Sequence, residues 1–120
     1  MIANLFETFC HNISFFGDKV IIYKNKSQQI LKSLMDNLNH YDYIYIDGDH
    51  HASSVLEDAI LSFPLLKQDG IMIFDDYNWC YEGGIPGLHI PRAGIDAFLS
   101  IYADKIEVIT KSDQVTIRKL

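Results

Sequence analysis

The sequence predicts an α/β fold in which a mostly parallel β-sheet is covered by helices on both faces. Short apolar segments rich in β-branched and aromatic residues alternate with segments whose apolar residues recur at helical spacing. Glycine, asparagine or aspartate, which favour turns, bound most of these segments. Strands that alternate with helices along a chain are typical of parallel sheets, because each parallel connection needs a crossover helix.

The first part of the chain is predicted to contain two helices and two strands. Apolar residues at helical spacing predict a helix over residues 3–13, which breaks at Gly17. Residues 19–23 (KVIIY) are β-branched and bounded by turn residues, which predicts a buried strand. An apolar stripe predicts a second helix over residues 27–40, and residues 41–47 (YDYIYID) predict the next strand.

The rest of the chain continues the same alternation. Ser54 and Glu57 have the spacing of a capping box, which predicts the start of a third helix that frays at Pro64. The remaining predicted elements are a strand at 71–76, a glycine-rich irregular loop at 77–91, a helix at 94–105 and an antiparallel hairpin that turns at 111–114.

Length and composition limit the classes of protein that fit. With 120 residues, 48% of them hydrophobic, residues 1–120 are expected to form one domain. A net charge of −6 without a basic cluster argues against nucleic acid and anionic membranes as partners. Cys10 and Cys80 lack the spacing of a disulfide framework or zinc site, and no signal peptide or membrane span is recognisable. We therefore expect a cytoplasmic protein.

Acidic residues follow two of the predicted strands. Asp47 comes directly after YIYI, and Asp75 and Asp76 come after IMIF. Ligands bind beyond the carboxyl ends of parallel strands, so neighbouring strands would bring these carboxylates together. Carboxylates that converge repel one another unless a proton or a cation intervenes, and Mg²⁺ is the simplest such cation. Asp49 alone is equally well explained as a residue that caps a helix or turns the chain.

The stretch from Tyr41 to Tyr77, with GIDAFL and a hairpin after it, resembles the class I S-adenosylmethionine-dependent methyltransferases. The similarity is greatest to the metal-dependent O-methyltransferases of the methyltransferase domain 24 type, and covers their C-terminal portion only. The resemblance implies a Rossmann-like methyltransferase sheet and S-adenosylmethionine-dependent O-methylation of a small-molecule hydroxyl.

The resemblance also implies roles for individual residues. It implies Mg²⁺ ligands at Asp47, Asp75 and Asp76 and a general base at His50, three positions after the first ligand. For S-adenosylmethionine it implies contacts from Asp47 and from Ser27 and Gln28, in a turn (NKSQ) that in the family usually carries glycine where Asn25 stands. Tyr77, Trp79 and Tyr81 are open to two readings, as walls of an acceptor pocket or as a lid on the core.

Two features of the family have no counterpart in the sequence. The glycine-rich turn that holds the methionine end of the cofactor is absent, as are the first two strands of the family's sheet. Without them the strand at 41–47 would expose an apolar edge, which another chain of a homodimer, a partner chain or residues 19–23 would have to cover.

Two alternatives to a working methyltransferase stay open. The chain is also compatible with a noncatalytic remnant or subunit that binds a metal or a partner chain. The string Asp49-His50-His51 is also found in manganese-dependent phosphoesterases, but these enzymes need further acidic motifs near their start, and residues 1–40 offer no such pair.

Overall fold

The computed structural model describes residues 4–80, 82–83 and 90–120, which form one sheet with helices packed against it. In chain order the elements are α1 (Leu5–Ile13), α2 (Ser27–Ser33), β1 (Tyr41–Ile46), α3 (Ala52–Ser62), β2 (Leu66–Phe74), α4 (Pro91–Ile101), β3 (Ile106–Lys111) and β4 (Val115–Lys119). Short 3₁₀ segments occupy Ser14–Lys19, Met35–Asn37 and Phe63–Leu65, the last of them at the predicted break around Pro64.

The strand order of the sheet is β1-β2-β4-β3. β1 and β2 are parallel, and β4 is antiparallel to both of its neighbours. The α/β class and the C-terminal antiparallel hairpin are confirmed. The sheet is less parallel than predicted, because one of the three pairings among the described residues is parallel. Ile46 lies opposite Phe74, so β1 and β2 end side by side.

The strand predicted at residues 19–23 is wrong. Lys19 ends a 3₁₀ segment, and Val20 to Tyr23 are exposed and outside the sheet. Val20 has the backbone angles of a strand, φ −116° and ψ 126°. A strand forms only where a neighbour satisfies its N–H and C=O groups, and within the described residues none pairs with this segment. β1 is consequently an edge strand of the described sheet.

Other boundaries differ for local reasons. α2 ends at Ser33, since Leu34 leaves the helical region with φ −91° and ψ 4°, and the 3₁₀ segment follows. Further on, Asn39 has a left-handed φ of 52° and its N–H donates to the Pro64 carbonyl. The predicted capping box is also wrong: the Ser54 hydroxyl donates to the Asp49 carboxylate, and His51 holds the N-cap position. β2 begins early, at Leu66, with a bulge between its pairings to Tyr41 and Tyr43.

The core lies on one face of the sheet. Alternate strand residues, among them Ile46, Met72 and Phe74, are buried against α3 and α4. The ring centroids of Phe74 and Phe98 are 5.4 Å apart. On the opposite face Tyr43 and Tyr45 are exposed. The prediction of helices on both faces is therefore wrong for the described part of the chain.

The residues before α2 pack weakly. Positions 4–26 are exposed except for Cys10 and Ile13, which are half-buried. Phe15 and Ile21 have exposed fractions of 91% and 74%. Cys10 and Cys80 are both free. Among the described residues, no helix has the length and the apolar character that crossing a membrane requires.

Candidate functional site

The ends of β1 and β2 form one rim of the sheet. The backbone N–H of Asp75 donates to the Ile46 carbonyl at 3.0 Å, so the first residues beyond the two strands are neighbours. The predicted convergence of acids at this rim follows from that register. The rim also receives the loop that leads into α3, which begins at Ala52.

Three side chains meet at the rim, namely Asp47, His50 and Asp76, and we call them the rim cluster. One ligand atom of each lies within 4.8 Å of the other two. The closest pair is His50 Nε2 and Asp76 Oδ2, at 2.7 Å. Asp76 has a left-handed φ of 57°, which turns the chain where β2 ends. The side chains of His50 and Asp76 are 38% and 37% exposed, so a small ligand has access to them.

Asp75 lies outside the rim cluster. Its carboxylate accepts hydrogen bonds from the Tyr45 hydroxyl, the Gln114 amide and the Asp76 N–H. Successive residues of a strand point to opposite faces, and Phe74 is in the core, so Asp75 turns toward the open face. The bonds from Tyr45 and the Asp76 N–H lower the pKa of Asp75, while the Asp75 carboxylate raises the pKa of Tyr45 to about 12. Its role as a metal ligand remains a prediction.

Asp47 is exposed, but partial desolvation of its carboxyl group and the neighbouring charges both act on it. Loss of solvent raises the pKa of this carboxyl group, and the charges of Asp75 and Asp76 raise it further, whereas His50 lowers it. The negative charges of Asp47, Asp75 and Asp76 are thus close together at the rim. This electrostatic environment favours a bound cation.

Two spaces adjoin the rim. A small one, of about 10 Å³, is bordered by the rim cluster and by neighbours that include Asp75, Asp49 and Pro91. A volume of this size holds about one water molecule or one ion. A larger cleft, of about 280 Å³, lies beside β1 and is bordered by Leu31, Ile44 and Asp58. Asp47 borders both spaces.

The predicted cofactor residues Ser27 and Gln28 are connected to the larger cleft through Asp58, which borders it. The Ser27 hydroxyl and the Gln28 amide donate to Asp58 Oδ1, at 2.7 and 3.0 Å. Asp58 is 6% exposed, and burial raises its pKa while the bonds from Ser27 and Gln28 lower it. The sequence interpretation missed Asp58, which lies on the buried side of α3 with Val55 and Ser62.

Two aromatic residues after β2, Tyr77 and Trp79, have different surroundings. Tyr77 is buried in the core and its hydroxyl donates to Asp96, which fits the predicted lid. Trp79 stacks on His50, with ring centroids 4.3 Å apart. Tyr81 lies outside the described residues. These contacts place Trp79 at the rim and Tyr77 beneath it.

The string Asp49-His50-His51 does not form a shared site. His51 Nδ1 lies 2.8 Å from Asp49 Oδ1, whereas His50 turns toward Asp76. The two imidazoles therefore face different carboxylates. In the described structure, this arrangement gives no support to the phosphoesterase alternative.

Several solved structures resemble the chain. A protein from Corynebacterium glutamicum matches with a TM-score of 0.64 and 13% identity over 94% of this chain. A candidate caffeoyl-CoA O-methyltransferase from Staphylococcus aureus matches with a TM-score of 0.64 and 17% identity over 95%. MycE, the methyltransferase of the mycinamycin biosynthetic pathway, matches with a TM-score of 0.60 and 19% identity over 82%; its structure contains Mg, SAH and mycinamycin VI.

The chain covers 53%, 58% and 31% of the length of these three proteins, respectively. It therefore corresponds to part of each, and the similarity establishes its fold, confirming the Rossmann-like methyltransferase sheet. No protein of curated function matches the sequence.

A family model described as a methyltransferase domain matches residues 3–77, more than half of the chain. The match includes α2, the strands β1 and β2 and the rim cluster. It confirms the resemblance to S-adenosylmethionine-dependent methyltransferases that the sequence predicts. The chain belongs to the methyltransferase domain family.

Proposed function

We propose that the chain forms the acceptor and metal half of an S-adenosylmethionine-dependent methyltransferase that methylates a hydroxyl group of a small molecule. The observation that carries this proposal is the position of Asp47. It borders both the larger cleft, which Asp58 connects to the predicted cofactor residues, and the small space at the rim cluster. A cofactor in one space and a cation in the other would therefore meet at this residue.

The larger cleft suits the adenosine part of the cofactor. Its volume of about 280 Å³ is near the lower end of the range for small-molecule sites, about 300 Å³. Leu31 and Ile44 supply apolar walls, and Asp47 and Asp58 supply polar groups. Ser27 and Gln28 donate hydrogen bonds to Asp58 and so hold it at the cleft. An apolar cleft with a few placed polar groups is the usual form of such a site.

The reaction requires the hydroxyl oxygen to attack the methyl carbon as the bond from that carbon to sulfur breaks. S-Adenosylmethionine supplies the methyl group, and a divalent cation would lower the pKa of the hydroxyl. The task of the protein is to hold the two reactants in line and to accept the hydroxyl proton. His50 is the predicted proton acceptor, and its Nε2 points into the rim cluster.

Calorimetric titration with S-adenosylmethionine tests the proposal. We expect micromolar binding, about −8 kcal/mol, by the wild-type chain, and weaker binding by a Ser27→Ala, Gln28→Ala double variant. Ser33→Ala is the matched control, because Ser33 is exposed on the same helix and its hydroxyl donates to the Ile30 carbonyl. Absence of binding by the wild-type chain, or equal affinity in the double variant, would contradict the proposal.

A second candidate is a noncatalytic chain that binds a partner through β1. The observation that favours it is the edge position of β1, together with the exposed Tyr43 and Tyr45. Unpaired strand edges are sites for the addition of another strand. In sedimentation experiments, association that weakens in a Tyr43→Lys variant, without S-adenosylmethionine binding, would favour this candidate. A homodimer that binds the cofactor would support the first.

A further inference from the structure

The rim cluster differs from the ligand set that the family resemblance implies. That set consists of three carboxylates, Asp47, Asp75 and Asp76, and would offer oxygen atoms alone. The side chains that converge are Asp47, His50 and Asp76. Asp75 also borders the small space, but it is not one of these three donors, and its carboxylate accepts hydrogen bonds from Tyr45 and Gln114. The donor set is therefore one imidazole nitrogen and two carboxylates.

The spacing of these donors is close to that of ligands on a single ion. With metal–ligand bonds of about 2.1 Å, two ligands on one ion lie roughly 3 to 4 Å apart. The three ligand atoms lie within 4.8 Å of one another, and two of them are 2.7 Å apart. Shifts of about an ångström or less would place all three on one ion. The space of about 10 Å³ among them accommodates one atom-sized ligand.

The orientation of the imidazole is fixed from outside the cluster. The ring of His50 lies on the indole of Trp79, with an angle of 12° between their planes. This contact holds the ring plane while Nε2 points toward Asp76. Groups that orient a metal-binding histidine in this way contribute to affinity, since the ring then loses less freedom when it binds.

Donor chemistry selects the ion. Mg²⁺ prefers oxygen ligands at near-ideal octahedral positions, whereas imidazole suits first-row transition metals such as Mn²⁺, Fe²⁺, Co²⁺ and Zn²⁺. We propose that Asp47, His50 and Asp76 form a site for a first-row transition-metal dication in preference to Mg²⁺, with His50 as a ligand. In the metal-loaded chain, His50 would then bind the ion, and the proton of the hydroxyl, whose pKa the ion would lower, would pass to water instead of to His50.

This inference deepens the proposed function and rests on it, because the metal site is the one that the proposed methyl transfer would use. Its test needs no S-adenosylmethionine. A chain that fails to bind the cofactor but binds the metal would contradict the proposed function alone. A chain that binds the cofactor and prefers Mg²⁺ would overturn the inference alone.

Calorimetric titrations with Mn²⁺, Co²⁺ and Mg²⁺ test the preference. We expect Mn²⁺ and Co²⁺ to bind the wild-type chain at least about tenfold more tightly than Mg²⁺. In His50→Gln, which offers an oxygen at a similar distance, this preference should shrink by about tenfold or more. Asp76→Asn should weaken all three ions. Asp75→Asn removes a neighbouring charge that is not one of the three donors, and should weaken Co²⁺ binding less than Asp76→Asn does. Asp104→Asn, which removes an exposed acid, is the control and should leave the Co²⁺ affinity within about twofold.

Spectroscopy tests the nitrogen ligand directly. Electron spin-echo measurements on the Mn²⁺-loaded wild-type chain should show coupling to ¹⁴N that is lost in His50→Gln. Circular dichroism spectra that match the wild type would establish that each variant folds. A Mn²⁺ spectrum without ¹⁴N coupling, a preference for Mg²⁺, or a loss of Co²⁺ binding in Asp75→Asn as large as that in Asp76→Asn would each overturn the inference.

Discussion

The imidazole of His50 stacks on the indole of Trp79, with ring centroids 4.3 Å apart and planes inclined by 12°. The contact joins the loop after β1 to the loop after β2, and so ties together the two segments that carry the rim cluster. Trp79 is also the single tryptophan of the chain. Its fluorescence therefore arises at the candidate site and at no other position.

Addition of Mn²⁺ is expected to quench the Trp79 fluorescence along a saturable curve. The reason is that a paramagnetic ion at the rim cluster would lie close to the indole through His50. In Asp76→Asn the midpoint of the curve should move to a concentration about tenfold higher, or more. Asp104→Asn, which removes an exposed acid far along the chain, is the control and should keep the wild-type midpoint. Linear quenching in all three proteins would contradict the prediction.

Ser27→Ala is expected to lower the free energy of unfolding by about 1 kcal/mol, because the buried carboxylate of Asp58 loses a hydrogen-bond donor. Urea denaturation monitored by circular dichroism measures the change. Ser33→Ala, at an exposed position of α2, should change the value by less than about 0.5 kcal/mol. Equal losses in the two variants would show that the bond to Asp58 contributes no special stability.

The stability of the chain should depend on pH through Asp58. Burial raises the pKa of this group in the folded chain above its value of about 3.9 in the unfolded chain. Below the unfolded pKa both states are protonated, and the contribution of Asp58 to stability is fully present. As the pH rises through the folded pKa that contribution is lost, because a buried carboxylate must then carry charge.

The Asp58→Asn variant isolates this effect, since asparagine stays neutral. The difference in unfolding free energy, variant minus wild type, should therefore increase with pH above about 4 and level off once Asp58 is charged in the folded chain. Urea denaturation of both proteins at several pH values measures it, and the contributions of the other carboxylates cancel in the difference. A difference that falls as the pH rises would mean that the pKa of Asp58 is lowered by folding, contrary to the prediction.

Gly94→Ala is expected to destabilise the packing of α4 against the start of α3. A Cβ atom at Gly94 would lie 2.2 Å from the Ala52 carbonyl oxygen, a backbone atom that cannot rotate away. The cost should be about 1 to 3 kcal/mol, the usual range for overpacking, and thermal denaturation would report it as a lower Tm. Ser100→Ala, on the exposed side of the same helix, is the control. An unchanged Tm in Gly94→Ala would show that the two helices move apart freely.

The position of the acidic residues at the rim is predictable from the sequence, because it depends on residues that are adjacent in the chain. Asp47 and Asp75 each follow an apolar strand, and the register of β1 and β2 brings the two strand ends together. The sequence predicts the direction of the side chains less well. It does not distinguish Asp75 from Asp76. In the structure their side chains point in different directions, because successive strand residues alternate and Asp76 has a left-handed φ, so Asp75 contacts Tyr45 and Asp76 contacts His50.

Features that depend on contacts between residues far apart in the chain could not be predicted from the sequence. Val20 to Tyr23 have the composition of a strand, yet a strand exists only where a neighbour offers hydrogen bonds, and composition does not reveal the neighbour. Asp58 was missed for a related reason, since its partners Ser27 and Gln28 are about thirty positions away. The position of Asp58 on a helical stripe becomes informative only once those partners are known.

The position of β4 between β2 and β3 has a consequence for synthesis on the ribosome. β2, which ends at the rim, has an open side until residues 115–119 have been made, because these residues supply its second neighbour. The backbone N–H of Tyr77 likewise donates to the carbonyl of Asp113, made later still than β3. Contacts between distant segments form slowly, so the rim should be among the last parts of the nascent chain to acquire its native geometry.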